Sequence, residues 1–314
     1  FRFTTTRTSR ARSLYAYAHR PSCHSLSLAG NPVKNSRQLA FRAACRLRAA
    51  RCLIAARCLI ASSVFFLTAA SAQDQQPSAN LAQADQTLRI TSAMAAPTRA
   101  IAHILRDEIR RPAEVIQFMR LPEGARVLDL YAADGYYSYL LAAAAGSGGR
   151  VFAQNPIATD NLEDVRQMYS LADALDERIA IAKLTTVTHV RSDFAALPID
   201  SGSLDAILLA QILHDFANST DAGAIALLQQ LGTLLKPDGA LIVIDHAGDA
   251  NQDNERLHRM PIEEAKRIAQ AAGFSLESES ALLANPRDRR RRPVFDPMLA
   301  RNTDRFLLRF VLSP

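Results

Sequence analysis

Four ionisable side chains follow two apolar runs of the chain at matching positions. His214 and Asp215 come just after Leu204–Leu209, and Asp245 and His246 end the next apolar run. Both runs read as buried parallel strands, whose carboxyl ends meet at one edge of a sheet. We therefore expect the four side chains to converge there. An imidazole beside a carboxylate can act as a general base, and the catalytic candidates are His214, Asp215 and His246.

Other uses of this cluster stay open. A metal ion would use the same ligand types, but no fixed ligand spacing is present, and we expect no metal. Ordinary polar groups of the loops are a third interpretation. Asp245, together with His258 and Arg259 in the following loop, is a candidate for binding a substrate. Arg259 could equally pair with a carboxylate.

A second candidate site is the loop within "VLDLYAADGYYSYLLA", residues 127–142. This stretch reads as a strand, a tight loop and the start of a helix. Such a loop binds a ligand when its backbone comes close and the helix N-terminus can donate N–H groups. Gly135 preserves these properties and Ala133 is small, whereas Tyr131 fills space that a glycine would leave open. A ligand loop and a purely structural turn both remain possible.

Asn155 lies at the end of the next predicted strand, about 20 residues beyond the loop, where ribose hydroxyls are usually bound. An amide can accept one such hydrogen bond and donate another. The alternative is a turn residue that precedes Pro156.

The elements that position these residues alternate along the chain. Apolar patterns predict seven strands, with helices between the first five. These are 127–130, 151–154, 187–191, 204–209, 240–244, 274–280 and 305–311. "KPDG", residues 236–239, is expected to end a helix before the fifth strand. The pattern indicates one doubly wound α/β domain.

The first 72 residues differ from the rest. Residues 1–73 contain 12 of the 37 basic residues, none of the 31 acidic ones and all 4 cysteines. The body is therefore mildly acidic, which argues against nucleic acid as a partner, and it has no cysteine for a disulfide or a zinc site. Residues 51–72 have the order of a secretory signal, with basic residues first, then an apolar stretch and then small residues. Cleavage is expected after Ala72, and the apolar stretch is too short for a membrane span. A retained anchor or a transit peptide is the alternative.

We thus divide the chain into an upstream extension plus signal peptide (1–72), a polar linker (73–97) and a folded domain (98–314). The basic run "RDRRRRP", residues 287–293, is expected to be a solvated loop, with an anion-binding lid as the alternative.

"LYAADGYYSYLLA", "RSDFAALPIDSGSLDAILLAQILHDF" and "LLKPDGALIVIDH" resemble class I S-adenosylmethionine-dependent methyltransferases, over about residues 112–309. A narrower likeness is to signal-bearing bacterial predicted methyltransferases, through "RDEIRRPAEVI", "GYYS", "LHR" and "TDRFLLRF". The resemblance implies a Rossmann-like methyltransferase fold, a seven-stranded mostly parallel sheet of order 3-2-1-4-5-7-6 with an antiparallel last strand. It also implies cofactor-binding residues, namely Asp129, Tyr131, Ala133, Gly135, Asn155, Asp193 and Phe194.

The resemblance implies methyl transfer from S-adenosylmethionine to an unidentified small acceptor in the periplasm or outside the cell. This family usually has a glycine at Ala133 and an acid at Asn155. These departures keep a second hypothesis open, a non-catalytic small-molecule-binding protein built on the same fold. A dehydrogenase is disfavoured because the G-x-G-x-x-G spacing is absent.

Overall fold

A seven-stranded sheet forms the centre of the protein. The computed structural model describes residues 76–157 and 163–314, and the predicted leader therefore lies outside the described residues. All described residues belong to one compact unit. The strands are β1 (Arg126–Leu130), β2 (Arg150–Asn155), β3 (Val187–Arg191), β4 (Leu204–Ala210), β5 (Leu235–His246), β6 (Phe274–Ser280) and β7 (Arg305–Leu312). Their order is β3-β2-β1-β4-β5-β7-β6. Strands β1 to β5 pair in parallel, and β7 is antiparallel to both β5 and β6. The predicted fold class is confirmed.

Alternating side chains of the central strands enter two separate cores. Val127 and Leu208 belong to one apolar cluster, whereas Leu128 and Leu209 belong to the other. This division follows from the strand geometry, because successive side chains point to opposite faces. Both faces are apolar because helices cover both of them.

Ten helices of the described residues connect and cover the strands. They are α1 (Gln76–Met94), α2 (Ile101–Ile104), α3 (Asp107–Arg110), α4 (Pro112–Met119), α5 (Tyr136–Ala145), α6 (Glu163–Ala182), α7 (Leu213–Ser219), α8 (Asp221–Leu234), α9 (Asn254–Leu257) and α10 (Ile262–Ala271). Helices α1, α4 and α5 contribute to the first core, and α8 and α10 contribute to the second. None of the helices within the described ranges is long and apolar enough to cross a membrane.

The structure corrects the polar linker predicted over 73–97, because Gln76–Met94 form helix α1. Its polar residues satisfy carbonyl groups near the end of α5. Gln86 donates to the carbonyls of Leu121 (3.0 Å) and Ala144 (3.2 Å). Arg89 donates to the carbonyl of Ala143 at 3.0 Å. The last carbonyls of a helix lack intrahelical partners, so this segment caps α5, and the folded unit begins before residue 98.

The fifth strand also begins earlier than predicted. "KPDG" lies within β5, which starts at Leu235 opposite Leu204, and the register then shifts between Leu204 and Ala206. Pro237 and Asp238 are exposed at this irregularity. Proline is tolerated in a sheet at a bulge. The residues "KPDG", which predict a turn, therefore form a bulge in β5.

Candidate active site

A cavity of about 710 Å³ opens at the carboxyl ends of β1, β4 and β5, beside the start of β7. This is the edge at which open parallel sheets bind ligands. Its lining includes predicted site residues Asp129, Tyr131, Ala133, His214, Asp215 and His246. Arginines 106, 110, 301 and 305 also line it. The convergence expected for the residues after β4 and β5 is therefore observed.

The imidazole of His214 is held from behind by a buried carboxylate. Nδ1 of His214 lies 2.7 Å from Oδ1 of Asp245, and the backbone N–H of His214 donates to Oδ2 at 2.9 Å. Asp245 also accepts from the backbone N–H of His246 at 2.7 Å. The Asp245 side chain is fully buried, so it orients His214 and does not itself reach the cavity. The substrate-binding role predicted for Asp245 is not supported by this placement.

The other ring nitrogen of His214 meets Asp215. Nε2 lies 3.1 Å from Oδ1 of Asp215. Burial alone would lower the pKa of His214, but Asp245 and Asp215 outweigh it and raise that pKa to about 10. With both carboxylates in place the imidazole holds its proton at neutral pH. It could act as a base only after losing that proton, which removal or neutralisation of Asp215 would favour.

His258 completes a group that could hold a cation. One possible metal-ligand atom from each of His214, Asp215 and His258 lies within 4.8 Å of the other two. Nδ1 of His258 lies 3.4 Å from Oδ1 of Asp215, and its ring meets Phe295 edge-on at 5.0 Å. The same three side chains also satisfy one another as an imidazole–carboxylate network. His258 thus lies beside the predicted base, where its substrate-binding role remains a prediction.

His246 is held in a neutral form by a chain of hydrogen bonds. Arg110 can only donate, so its 3.0 Å bond to Oε1 of Gln211 fixes the orientation of that amide. Nε2 of Gln211 then donates to Nε2 of His246 at 3.1 Å, and Nδ1–H of His246 donates to Oγ1 of Thr303 at 2.7 Å. Burial and the charge of His214 lower the pKa of His246 well below its ordinary value. Both nitrogens are engaged, so His214 is the better candidate for a base.

The loop after β1 has left-handed backbone at three positions, only one of which is a glycine. Tyr131, Ala133 and Gly135 have φ angles of 55°, 50° and 76°. Only Gly135 adopts this left-handed region without a Cβ penalty of about 1–2 kcal/mol per residue. Gly135 also ends the loop directly before α5. The loop thus adopts, at three positions, the backbone conformation that favours glycine.

Two side chains from the end of β2 hold this loop in place. Oε1 of Gln154 accepts from the backbone N–H of Tyr131 at 3.1 Å. The amide of Asn155 accepts from the N–H of Ala133 at 2.8 Å and donates to its carbonyl at 3.2 Å. These bonds offset the strain at Tyr131 and Ala133. Because the Asn155 amide is committed to the loop, its contacts do not support the predicted ribose role.

Asp129 provides a buried acid beneath the loop. Its Oδ2 accepts from the Ser138 hydroxyl at 2.6 Å, and it lines the cavity. Burial raises the pKa of Asp129 to about 7, although the bond from Ser138 acts in the opposite direction. A carboxylate here would attract a cationic group of a ligand.

The entrance of α5 is fixed by charges around Asp134. This carboxylate lies 2.7 Å from Arg106, 3.0 Å from Arg178 and 3.2 Å from Nε2 of His103. Burial alone would raise the pKa of Asp134, but the bonds from His103 and Arg106 hold it well below its ordinary value. A carboxylate at a helix N-terminus is favourable, so the cluster fixes the loop–helix junction.

Asp193 and Phe194 follow β3, on the other side of the loop. Asp193 is exposed, and the half-buried ring of Phe194 meets Phe216 edge-on at 5.3 Å. Tyr131 meets the same Phe216 ring at 6.2 Å. The three rings form an aromatic cluster beside the loop, and the predicted contact with adenine stays a prediction.

Arg259, like Asp245, is a substrate-binding candidate whose side chain is fully buried. Its guanidinium is 0% exposed and pairs with Asp288 at 2.8 Å. It also donates to the carbonyls of Ala247 (3.0 Å) and Arg292 (3.1 Å). The alternative stated for Arg259, pairing with a carboxylate, is observed, with a buried partner. The predicted substrate contact is not supported.

The basic run 287–293 is a loop in which Arg287, Arg289, Arg291 and Arg292 are exposed, as expected, whereas Arg290 and Asp288 tie it to the domain. Arg290 pairs with Asp249 (2.9 Å) and Asp304 (2.7 Å), and Asp288 is buried. The segment that follows, from Val294 to Arg301, contributes to the cavity wall.

The sequence reasoning missed Arg110, Gln211 and Arg305. The first and last lie in "RDEIRRPAEVI" and "TDRFLLRF", which carried the narrower resemblance, so a signal was present. It gave no position in space, because the two segments are nearly 200 residues apart and are joined by tertiary contacts such as that between Arg305 and the carbonyl of Ile109.

A sequence profile described as an O-methyltransferase domain matches residues 164–277. The chain is similar in structure to the (4+2)-cyclase SpnF at 15% identity, with a TM-score of 0.51 over 73% of this chain and 93% of that one. It is also similar to a SAM-dependent methyltransferase from Aquifex aeolicus at 20% identity, with a TM-score of 0.49 over 66% of this chain and 93% of that one. The CcbJ methyltransferase from Streptomyces caelestis is similar at 17% identity, with a TM-score of 0.46 over 65% of this chain and 89% of that one. No curated protein matches the chain.

Proposed function

Since the chain has a Rossmann-like methyltransferase fold and matches an O-methyltransferase domain, we propose that it transfers a methyl group from S-adenosylmethionine to a small acceptor. The observation that carries the proposal is the shared cavity of Asp129, the loop after β1 and His214. The fold puts the cofactor loop and a candidate base on the same edge of the sheet.

The residues present fit this cofactor. The loop from Tyr131 to Gly135 has the left-handed backbone that allows close approach, and Asp129 faces the same cavity. Asp129 would hold the cationic amino group, and the aromatic group of Phe194 and Phe216 would border the adenine. S-adenosylmethionine supplies a methyl group already activated by its sulfonium, so the protein contributes mainly positioning.

His214 would accept the proton of an acceptor hydroxyl. Asp245 fixes the ring so that Nε2 points toward Asp215, and both His214 and Asp215 line the cavity. An acceptor hydroxyl that displaces Asp215 would remove one of the charges that keep His214 protonated. Once Nε2 has released its own proton to the departing Asp215 carboxylate or to solvent, it could take the proton of the acceptor hydroxyl while Asp245 stabilises the imidazolium.

The cofactor site is tested by calorimetric titration of the full chain with S-adenosylmethionine and, separately, S-adenosylhomocysteine. We expect micromolar binding of both. Gly135→Asp should abolish it, because a Cβ at this position would lie 2.5 Å from Leu175 Cδ1 in a backbone with φ +76°.

Gly202→Asp is the matched control. It has a similar φ of +64°, but nothing lies within 4 Å of its Cβ position, so binding should be retained. Absence of heat and of a thermal shift at millimolar ligand would favour the alternative, a binding module for another small molecule.

We also propose that residues 1–72 direct export to the periplasm or outside the cell, as in the signal-bearing predicted methyltransferases that the sequence resembles. The order of basic, apolar and small residues before Gln73 supports this. Expression in a Gram-negative host, followed by fractionation and N-terminal sequencing, should give a mature chain that begins at Gln73. A full-length cytoplasmic product would refute export.

A further inference from the structure

The candidate cavity contains three arginines without a carboxylate partner among the described residues, namely Arg110, Arg305 and the exposed Arg301. Resting on the proposed function, we infer that the methyl acceptor carries a carboxylate or another oxyanion, bound by Arg305 together with Arg110. Both side chains line the cavity, and neither forms an ion pair with a carboxylate in the described part of the chain.

Arg305 differs from the other buried arginines of the described residues. Arg99 pairs with Asp107, Arg259 with Asp288 and Arg309 with Glu277. Arg305 is only 3% exposed, yet its protein partners are the backbone carbonyls of Thr303 (3.3 Å) and Ile109. A buried charge is costly unless it is paired. Arg305 therefore lacks a counter-charge that a ligand can supply.

Arg110 is similarly placed. It donates to Oε1 of Gln211 at 3.0 Å and lies over the rings of Tyr136 (4.8 Å) and Tyr137 (6.0 Å). Burial lowers the pKa of both guanidiniums, and the charge of Arg110 adds to this effect at Arg305. Two neighbouring guanidiniums that repel each other become favourable when an anion lies between them.

The position of Arg305 assigns the anion to the acceptor. Arg305 pairs in register with His246, and the sheet order β1-β4-β5-β7 puts two strands between β7 and the cofactor loop. With strands about 4.8 Å apart, the backbone of Arg305 lies roughly 14 Å from that of β1. An acceptor with its acidic group at Arg305 would extend past His246 toward His214. The guanidinium fork suits a carboxylate or phosphate through paired hydrogen bonds.

The carboxylate of the cofactor is the other anion that could bind Arg305 and Arg110, so the test has two arms. Benzoate, benzamide and inorganic phosphate are titrated by calorimetry into the full chain, with and without saturating S-adenosylhomocysteine. S-adenosylhomocysteine is titrated separately. The variants are Arg305→Gln, Arg305→Lys and Arg110→Gln, and the control is Arg150→Gln, an exposed arginine of β2.

We expect benzoate or phosphate to bind the unaltered chain and benzamide to bind at least tenfold more weakly. Arg305→Gln should weaken anion binding about 30-fold, as for removal of a buried charge partner. Arg110→Gln should also weaken it, and Arg305→Lys should restore part of it. Binding of S-adenosylhomocysteine should change less than threefold in the Arg305 variants.

Two results would overturn the inference. One is equal binding of benzoate and benzamide together with no phosphate binding. The other is loss of S-adenosylhomocysteine binding in Arg305→Gln with anion binding unchanged, which would assign the guanidinium to the cofactor. If the unaltered chain binds anions but not S-adenosylhomocysteine, the proposed function fails while the anion site stands.

Discussion

At the scale of single residues, the site depends on which partner each polar atom already has. Asp245 is bonded to His214 and His246, so it orients the base; the amide of Asn155 is bonded to Ala133, so it shapes the loop. The sequence placed both residues at the correct edge of the sheet. It could not show that neighbouring groups already satisfy them, because those bonds depend on side-chain directions that no spacing specifies.

The protonation of His214 can be measured directly. Since Asp245 and Asp215 raise its pKa to about 10, its imidazole signal in NMR should titrate far above the ordinary 6.5. This interaction contributes stability that is fully present below pH 6.5 and lost as pH rises through about 10. Asp215→Asn should lower the pKa by about 1 unit or more.

Asp200→Asn, at an exposed turn, is the control and should leave the titration unchanged. The signal is assigned by its disappearance in His214→Gln. A titration near 6.5 in the unaltered protein would show that the two carboxylates do not hold the proton.

Asp129 should make cofactor binding depend on pH. Its pKa of about 7 means that the carboxylate is mostly protonated at pH 6 and mostly ionised at pH 8. If only the ionised form attracts the amino group of S-adenosylhomocysteine, affinity should rise about tenfold over this range. Calorimetry at both pH values measures the change, and Asp129→Asn should remove it. A flat profile in the unaltered protein would contradict the role.

At the scale of elements, the loop and helix α1 show how polar segments can be integral to the fold. The loop keeps left-handed angles at Tyr131 and Ala133 because Gln154 and Asn155 hold its backbone. Helix α1 is mostly polar, yet its side chains satisfy the end of α5. Neither feature follows from local propensity, since both depend on partners distant in sequence.

Helix α1 offers a matched pair of substitutions. Ile90 is 1% exposed, whereas Leu88 on the same helix is 64% exposed. Ile90→Ala should lower the free energy of unfolding by about 3 kcal/mol because it leaves a cavity in the first core. Leu88→Ala should change it by about 0.5 kcal/mol or less. Urea denaturation measures both, and equal effects would mean that α1 is not docked.

At the scale of the whole molecule, the strand order and the edge that carries the site were predictable. The apolar runs fixed six strand positions within a few residues, and the resemblance supplied their order. The start of β5 was not predictable, because "KPDG" reads as a turn where the sheet accepts a bulge. That Arg110 and Arg305, 195 residues apart, line the same cavity was also beyond spacing arguments.

The buried pair of Arg259 and Asp288 joins two distant parts of the chain, the segment after β5 and the segment before β7. Arg259→Ala should lower the free energy of unfolding by about 3–5 kcal/mol, since it leaves Asp288 buried and unpaired. Arg292→Ala removes an exposed ion pair with Asp296 and should cost about 1 kcal/mol or less. Urea denaturation compares them. A stable Arg259→Ala protein with reduced ligand binding would instead restore the substrate-contact prediction.

The insertion of β7 between β5 and β6 has a consequence for synthesis on the ribosome. The chain emerges from its N-terminus, so β5 and β6 are complete before β7 exists, and β5 presents an unpaired edge until residues 305–312 arrive. The same residues bring Arg305 to the cavity. A nascent chain arrested before this strand would thus combine an aggregation-prone edge with an incomplete pocket, and ligand capture would mark the last step of maturation.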